Sequence, residues 1–183
     1  MKLIGKSAAI AKKYAKAFMR VAGSRFTLED YNALGKLEVF LRENPHIMLV
    51  FRVPLFDDVK KAKFLRLLLE RFALSEHVQA LCNMLLVHDR VMLMGRIFYM
   101  IRKLYQKEHN MMFFVITSSH QLEAKKLEKV QNFLAHKTGR AILYTYTVDN
   151  KLISGIRAQS DTLLWECSIR QRLRIARHAL VPV

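Results

Sequence analysis

Histidine and cysteine are the residue types that most often bind transition-metal ions in proteins. Ligand pairs on a helix need regular spacing, and cysteine ligands usually come in Cys-x-x-Cys motifs. Neither pattern occurs, because the two cysteines are Cys82 and Cys167 and the seven histidines stand at positions 46, 77, 88, 109, 120, 136 and 178. The six scattered glycines form no phosphate-binding loop. We therefore expect no metal, no nucleotide and no other cofactor.

A serine and a pair of aspartates are the candidates for catalysis. Ser168 lacks a Gly-x-Ser-x-Gly elbow and precedes the apolar stripe of the last predicted helix, where serine is a common N-cap. Asp57 and Asp58 follow Pro54 and precede another apolar helix, where carboxylates cap the helix and interact favourably with its dipole. Because each has a structural explanation, we expect no catalytic residue and predict that the chain is not itself an enzyme.

The formal charge of +16 favours acidic partners, namely nucleic acid, anionic lipid or an acidic protein surface. Arg170, Arg174 and Arg177 share one face of the last predicted helix, and Arg172 lies elsewhere around it. Two interpretations stand: this face grips phosphates or acidic residues, or it is solvated beside the apolar stripe. A basic nucleic-acid-binding protein is therefore the alternative function.

The first half of the chain has helical periodicity, with apolar residues recurring every three or four positions in five segments. A short apolar turn lies between Pro45 and Pro54. The opening stretch Met1–Ala22 has no acidic residue and could pass for a mitochondrial targeting peptide. We favour a basic first helix, because its apolar residues recur at helical spacing between Ser7 and Gly23. Residues 1–107 are thus predicted to form an all-α bundle of five to six helices.

The period changes near residue 110. Phe113–Thr117 is a compact run of β-forming residues, and residues 121–136 return to helix before Gly139. The polar turn Asp149–Lys151 lies between two further β-type segments, which predicts a hairpin. The final helix carries one apolar stripe, formed by Ile169, Leu173, Ala176 and Leu180. We predict an α+β two-domain protein, in which residues 111–183 form a small α/β domain with a mixed sheet and two helices.

Two stretches are distinctive enough to compare with known families. One is Lys13–Phe18, and the other is Val148–Arg157 followed by Ser168–Leu173. They resemble the δ subunit of bacterial and chloroplast F-type ATP synthases, called the oligomycin-sensitivity-conferring protein in mitochondria. The resemblance covers nearly the whole chain and includes Asn44, Pro45, Pro54, Lys63, Leu81, Leu85 and Arg90. Two departures are mild: Ser154 stands where the family usually has glycine, and Glu166 where it usually has aspartate.

The resemblance implies a non-catalytic stator subunit of a rotary ATP synthase. The helical domain, residues 1–107, would bind the N-terminal helices of the α subunits in the catalytic head. The α/β domain, residues 111–183, would bind the b subunits of the peripheral stalk. Such a link couples rotation to ATP synthesis and proton transport. No nucleic acid is expected as a partner, and the membrane is reached only through the complex.

The resemblance also implies where partners bind. The family's groove for an α-subunit helix lies between its first and fifth helices, here residues 7–22 and 76–87, and the matching positions are Tyr14, Ala17, Leu81 and Met84. The C-terminal signature is represented by Asp149, Gly155, Ser168 and Arg170. The expected location is peripheral, at the cytoplasmic face of a bacterial inner membrane. The matrix side of the mitochondrial inner membrane is the alternative.

Overall fold

The computed structural model describes residues 2–51 and 57–180 of the chain, with the side chains of 7–51 and 57–177. Pro54, part of the family pattern, lies outside the described residues. The chain divides into two compact units, Met1–Tyr105 and Gln106–Val183. Each unit has its own buried core.

Within the described residues, the first part of the chain contains six α-helices: α1 (Lys2–Ala22), α2 (Leu28–Glu43), α3 (Pro45–Val50), α4 (Asp58–Arg71), α5 (Glu76–Val87) and α6 (Met94–Glu108). The predicted bundle of five to six helices is confirmed. The apolar turn after Asn44 is the short helix α3, with Pro45 in its first turn, where a missing N–H costs no hydrogen bond. Residues 76–87 accordingly form the fifth helix.

Local capping explains where α2 begins. The Thr27 hydroxyl accepts from the Asp30 N–H at 3.3 Å, while the Asp30 carboxylate accepts from the Thr27 N–H at 3.0 Å. These two reciprocal bonds form a capping box, which the Thr-x-x-Asp spacing of the sequence favours. Asp57 behaves differently: it occupies the N-cap of α4, but its carboxylate makes no cap hydrogen bond and lies 3.8 Å from Lys60 Nζ. Its predicted capping role is therefore limited to favourable charge at the helix N-terminus.

Aromatic side chains join three helices of the first unit. Phe18 of α1 meets Phe26 edge to face at 5.8 Å, and Phe26 meets Tyr105 of α6 at 5.2 Å. Tyr105 in turn lies 5.5 Å from Tyr31 of α2. Such pairs add stability beyond the area they bury. The inner face of α1 is thereby held in the core.

The second unit contains a four-stranded mixed sheet formed by β1 (Met111–Ser118), β2 (Ala141–Val148), β3 (Gly155–Gln159) and β4 (Leu164–Ser168). The strand order is β2-β1-β3-β4. β1 pairs in parallel with β2 through the crossover helix α7 (Ala124–Thr138), and in antiparallel with β3. The final helix, α8 (Ile169–Leu180), directly follows β4. The predicted mixed sheet with two helices is confirmed.

The predicted hairpin around Asp149–Lys151 is wrong, because β2 and β3 are not neighbours. The connection passes the end of β1, where the Asp149 N–H donates to the Ser118 carbonyl at 2.8 Å and the Ser119 N–H to the Gly155 carbonyl at 3.3 Å. β3 then pairs with the other edge of β1. A central strand needs partners on both edges to satisfy its backbone groups, and this requirement determines the topology.

Helix α7 covers one face of the sheet. Leu134 of α7 packs in a core with Phe114, Ile116, Ile142 and Ala158 of the strands. The helix ends at Gly139, whose φ of +65° and N–H bond to the Ala135 carbonyl at 2.8 Å form the left-handed cap that the sequence predicts. The strands and α7 thus form the core of the second unit, and α8 is joined to it through β4.

Candidate partner-binding surfaces

A contact between distant parts of the sequence brings the C-terminal end of α5 to the middle of α1. Arg90 stands three residues after α5 and donates from Nη1 to the Tyr14 hydroxyl at 2.6 Å. Its guanidinium carbon also lies 5.7 Å from the centre of the Tyr14 ring. A charged hydrogen bond combined with a cation–π contact fixes the Tyr14 ring next to α5. This contact links the two helices between which the family resemblance implies a groove.

Helix α1 presents an apolar stripe beside this contact. Tyr14 is half-buried, Ala17 is exposed and Val21 is 85% exposed. Positions separated by three and four residues lie on one helix face, so these side chains form a continuous strip. Helical spacing alone is compatible with Val21 on the inner side of α1, but the inner face is formed by Ala15, Phe18 and Ala22. A single exposed aliphatic residue is common on protein surfaces. Val21 is unusual because it lies in line with Tyr14 and Ala17.

Helix α5 presents a second stripe, in which Ala80 and Met84 are exposed and Val87 is 82% exposed. The sequence did not single out Ala80 and Val87, because the helical pattern does not show which apolar positions are buried in the core and which are exposed. Leu81 differs from the other predicted groove residues, since it is only 6% exposed. It lies on the inner side with Cys82 and offers a partner almost no surface. Its place in a binding groove stays a prediction.

Cations flank the α1 stripe on its solvent side. Lys13, Lys16 and Arg20 are exposed, and α1 contains no acidic residue. Because long-range electrostatics favour opposite charge, a helix docking on this surface is favoured when acidic residues border its apolar face.

The C-terminal signature residues Asp149 and Gly155 shape one connection. The Asp149 carboxylate accepts from the Lys151 N–H at 2.9 Å and begins a 3₁₀ turn, Asn150–Leu152. Gly155 has φ +117°, and a Cβ there would lie 2.1 Å from the Cys167 carbonyl oxygen. Only glycine allows β3 to approach β4 this closely.

Ser168 and its neighbours form the base of α8. The buried Ser168 hydroxyl accepts from the Gln171 N–H at 3.1 Å, which confirms the predicted N-cap, and donates to Glu166 at 2.5 Å. The Ile169 N–H donates to the Ser154 carbonyl at 2.9 Å. Asp149, Gly155 and Ser168 therefore build the junction from which α8 extends, whereas the fourth signature residue, Arg170, is exposed.

The apolar stripe of α8 is exposed over its described part. Ile169 and Ala176 are exposed, and Leu173 is 58% exposed. The four arginines of the helix are exposed too. The side chain of Leu180 lies outside the described residues. A stripe of this kind normally faces a core. In α8 it is available to a partner.

No helix within residues 2–51 and 57–180 is long and apolar enough to cross a membrane. The same ranges contain no group of three His, Cys, Asp or Glu residues placed to hold a metal ion. Cys82 is buried, and its burial raises the pKa of the thiol to about 12. The thiolate, which is the reactive form, is therefore suppressed.

The helical unit and the small mixed-sheet unit define a two-unit α+β protein with exposed, cation-flanked apolar surfaces. The family described as "ATP synthase delta (OSCP) subunit" matches residues 10–180. The chain belongs to this family, as the sequence motifs predicted.

Two relatives named ATP synthase subunit delta illustrate the match. The protein from Geobacter sp. strain M21 is 25% identical over 166 residues, which cover 90% of this chain and 92% of its own. The protein from Staphylococcus saprophyticus is 27% identical over 167 residues, with 90% and 92% covered. These matches give no support to the nucleic-acid-binding alternative.

A solved structure supports the fold. A chain of the Toxoplasma gondii mitochondrial ATP synthase hexamer aligns with a TM-score of 0.66 and 18% identity, covering 94% of this chain and 98% of that one.

Proposed function

We propose that this chain is the non-catalytic stator subunit of a rotary F-type ATP synthase. The helical unit binds the N-terminal helices of the catalytic-head α subunits, and the α/β unit binds the b subunits of the peripheral stalk. This connection holds the head stationary, so that rotation is coupled to ATP synthesis and proton transport. Membership of the δ subunit family and the names of the relatives support this role.

The observation that carries the proposal is the pair of exposed apolar stripes on α1 and α5, next to the contact between Tyr14 and Arg90. An amphipathic helix laid against an apolar surface is a common recognition mode. Ala17 permits close approach of a partner backbone, and Met84 adapts to an irregular partner surface. No bond-making chemistry is needed for such a contact.

The proposed location follows from the proposed assembly. The chain is peripheral to the membrane and held there by the complex, at the cytoplasmic face of a bacterial inner membrane. The matrix side of the mitochondrial inner membrane is the alternative, and co-purification from native membranes with the large ATP synthase subunits tests the assembly itself.

The substitution Ala17→Asp tests the surface on α1. A carboxylate placed against the apolar face of a docked helix loses its hydration, so the affinity for a peptide of the α-subunit N-terminus should fall by about two orders of magnitude. Fluorescence anisotropy with the full chain measures the affinity, and circular dichroism checks the fold. Ala9→Asp is the matched control, because Ala9 is exposed on another side of the same helix.

Equal affinities of the wild type and Ala17→Asp for this peptide would remove the binding surface from α1. Equal losses in Ala17→Asp and Ala9→Asp would reduce the effect to net charge. ATP hydrolysis by the purified chain, abolished by a substitution in this chain, would contradict the non-catalytic role.

A further inference from the structure

The positive charge of the chain is concentrated in two helices. α1 contains six lysines and arginines and α8 contains four arginines, with no acidic residue in either, so they carry ten of the sixteen net charges. In α8 the charge accompanies an exposed apolar stripe. A helix of 12 residues is marginal by itself in water, and its stability normally comes from packing that face. α8 therefore has both the surface and the energetic reason to bind a partner.

Three arginines of α8 lie beside the stripe. At 100° per residue, Ile169, Leu173 and Ala176 form one seam; Arg170 and Arg177 border it on one side, Arg172 borders it on the other, and Arg174 lies on the far side. This is the arrangement of a coiled-coil helix, in which charged residues flank an apolar seam and select the partner by charge. Ile175 lies on the far side of the helix and is equally exposed, at 60%.

We propose that α8 docks against an amphipathic helix whose apolar seam is bordered by aspartate and glutamate. Three flanking arginines without a compensating acid disfavour a neutral or basic helix and favour an acidic one. A nucleic acid leaves the aliphatic seam unused, and α8 has no Phe, Tyr or Trp on which a base could stack. The identification of this helix with the end of the peripheral stalk rests on the proposed function; its acidic character rests on α8.

The binding experiment uses the full chain and a synthetic helical peptide with leucines along one face and glutamates flanking them. Its counterpart carries glutamine in place of every glutamate. Leu173→Asp should weaken binding of the acidic peptide by about tenfold or more, because the carboxylate enters the seam among glutamates. Ile175→Asp is the matched control: it adds the same charge to the same helix on the far side, and should leave the affinity nearly unchanged.

A second pair of variants separates local charge from net charge. Reversal of Arg170, Arg172 and Arg177 to glutamate should abolish the preference for the acidic peptide over the glutamine peptide. Reversal of Lys125, Lys126 and Lys129, which are exposed on α7, changes the net charge equally and should preserve that preference. Equal effects of the two triple reversals, or of Leu173→Asp and Ile175→Asp, would overturn the proposal. Equal wild-type affinity for both peptides would overturn it as well.

Other probes distinguish the proposal from its rivals and from the proposed function. The proposal would be overturned if the chain bound vesicles of phosphatidylserine and phosphatidylcholine, or duplex DNA, through Leu173 and the α8 arginines but did not bind the acidic peptide. A stalk b subunit that binds the wild type and Leu173→Asp equally would overturn the identification of the α8 partner with the stalk, while the stator role stands. Binding of the acidic peptide as described, without binding of the b subunit, supports the α8 surface and removes the stalk assignment instead.

Discussion

Helices α1 and α8 have the same sequence character but different surroundings. Both are amphipathic and basic, and both lack acidic residues. α1 buries one face through Ala11, Ala15 and Phe18 and keeps a second apolar stripe exposed, whereas the described seam of α8 is exposed throughout. An apolar stripe on a helix therefore predicts that another element packs against it. It does not predict whether that element belongs to the same chain or to a partner.

The largest expected difference between the two helices is in stability. Phe18→Ala removes a buried ring that contacts Phe26 and should lower the free energy of unfolding of the helical unit by about 3–5 kcal/mol. Leu173→Ala changes an exposed residue and should cost less than about 0.5 kcal/mol. Urea unfolding followed by circular dichroism measures both. Equal losses would show that α8 packs as α1 does.

The next effect concerns the junction that supports α8. Gly155→Ala should destabilise the α/β unit by about 2–4 kcal/mol, because it combines an unfavourable backbone conformation with overlap against the Cys167 carbonyl. Fluorescence of Trp165, the single tryptophan, follows this unit. Gly139→Ala is the control for a positive φ without overlap: the φ of +65° lies in the left-handed helical region, nothing lies within 4 Å of an added Cβ, and the change should cost about 1 kcal/mol. Equal losses would remove the steric explanation.

A smaller effect is expected at the helix caps. Ser168→Ala removes the α8 N-cap and leaves the Glu166 carboxylate without its 2.5 Å partner, so it should cost about 1–2 kcal/mol. Thr27→Ala at α2 removes a cap in a capping box and should cost about 1 kcal/mol. Trp165 fluorescence reports the first change and circular dichroism the second. An unchanged midpoint for Ser168→Ala would mean that α8 is held by other contacts.

The reactivity of the two cysteines allows the two units to be compared without destabilising either of them. Cys167, exposed in β4, should react with a thiol reagent in the native protein, whereas Cys82 should react only after unfolding. Burial raises the pKa of Cys82 to about 12, so raising the pH from 7 to 9 should not expose its thiolate in the folded state. Mass spectrometry of the alkylated protein counts the modified sites. Modification of Cys82 in native conditions would indicate that the helical core opens.

Periodicity predicted the two-part fold because the two halves have different repeats: three to four residues before residue 110 and β-type runs after it. The capping box at Thr27, the left-handed stop at Gly139 and the N-cap at Ser168 were also readable, since each depends on residues within a few positions. The hairpin failed for the opposite reason. Strand pairing depends on the free edges of β1, which lies more than twenty residues away from the turn at Asp149.

Local sequence thus determined the helices, the caps at Thr27, Gly139 and Ser168, and the family. The tertiary structure alone decided which apolar stripes are covered: Val21, Met84 and Leu173 read as inward-facing helix positions or core candidates as easily as Phe18 and Leu81 do. Burial is a property of packing among distant elements, and a helix pattern is compatible with either a neighbour in the chain or a partner outside it. The exposed seams of α1, α5 and α8 are therefore features that only the folded chain distinguishes from its core.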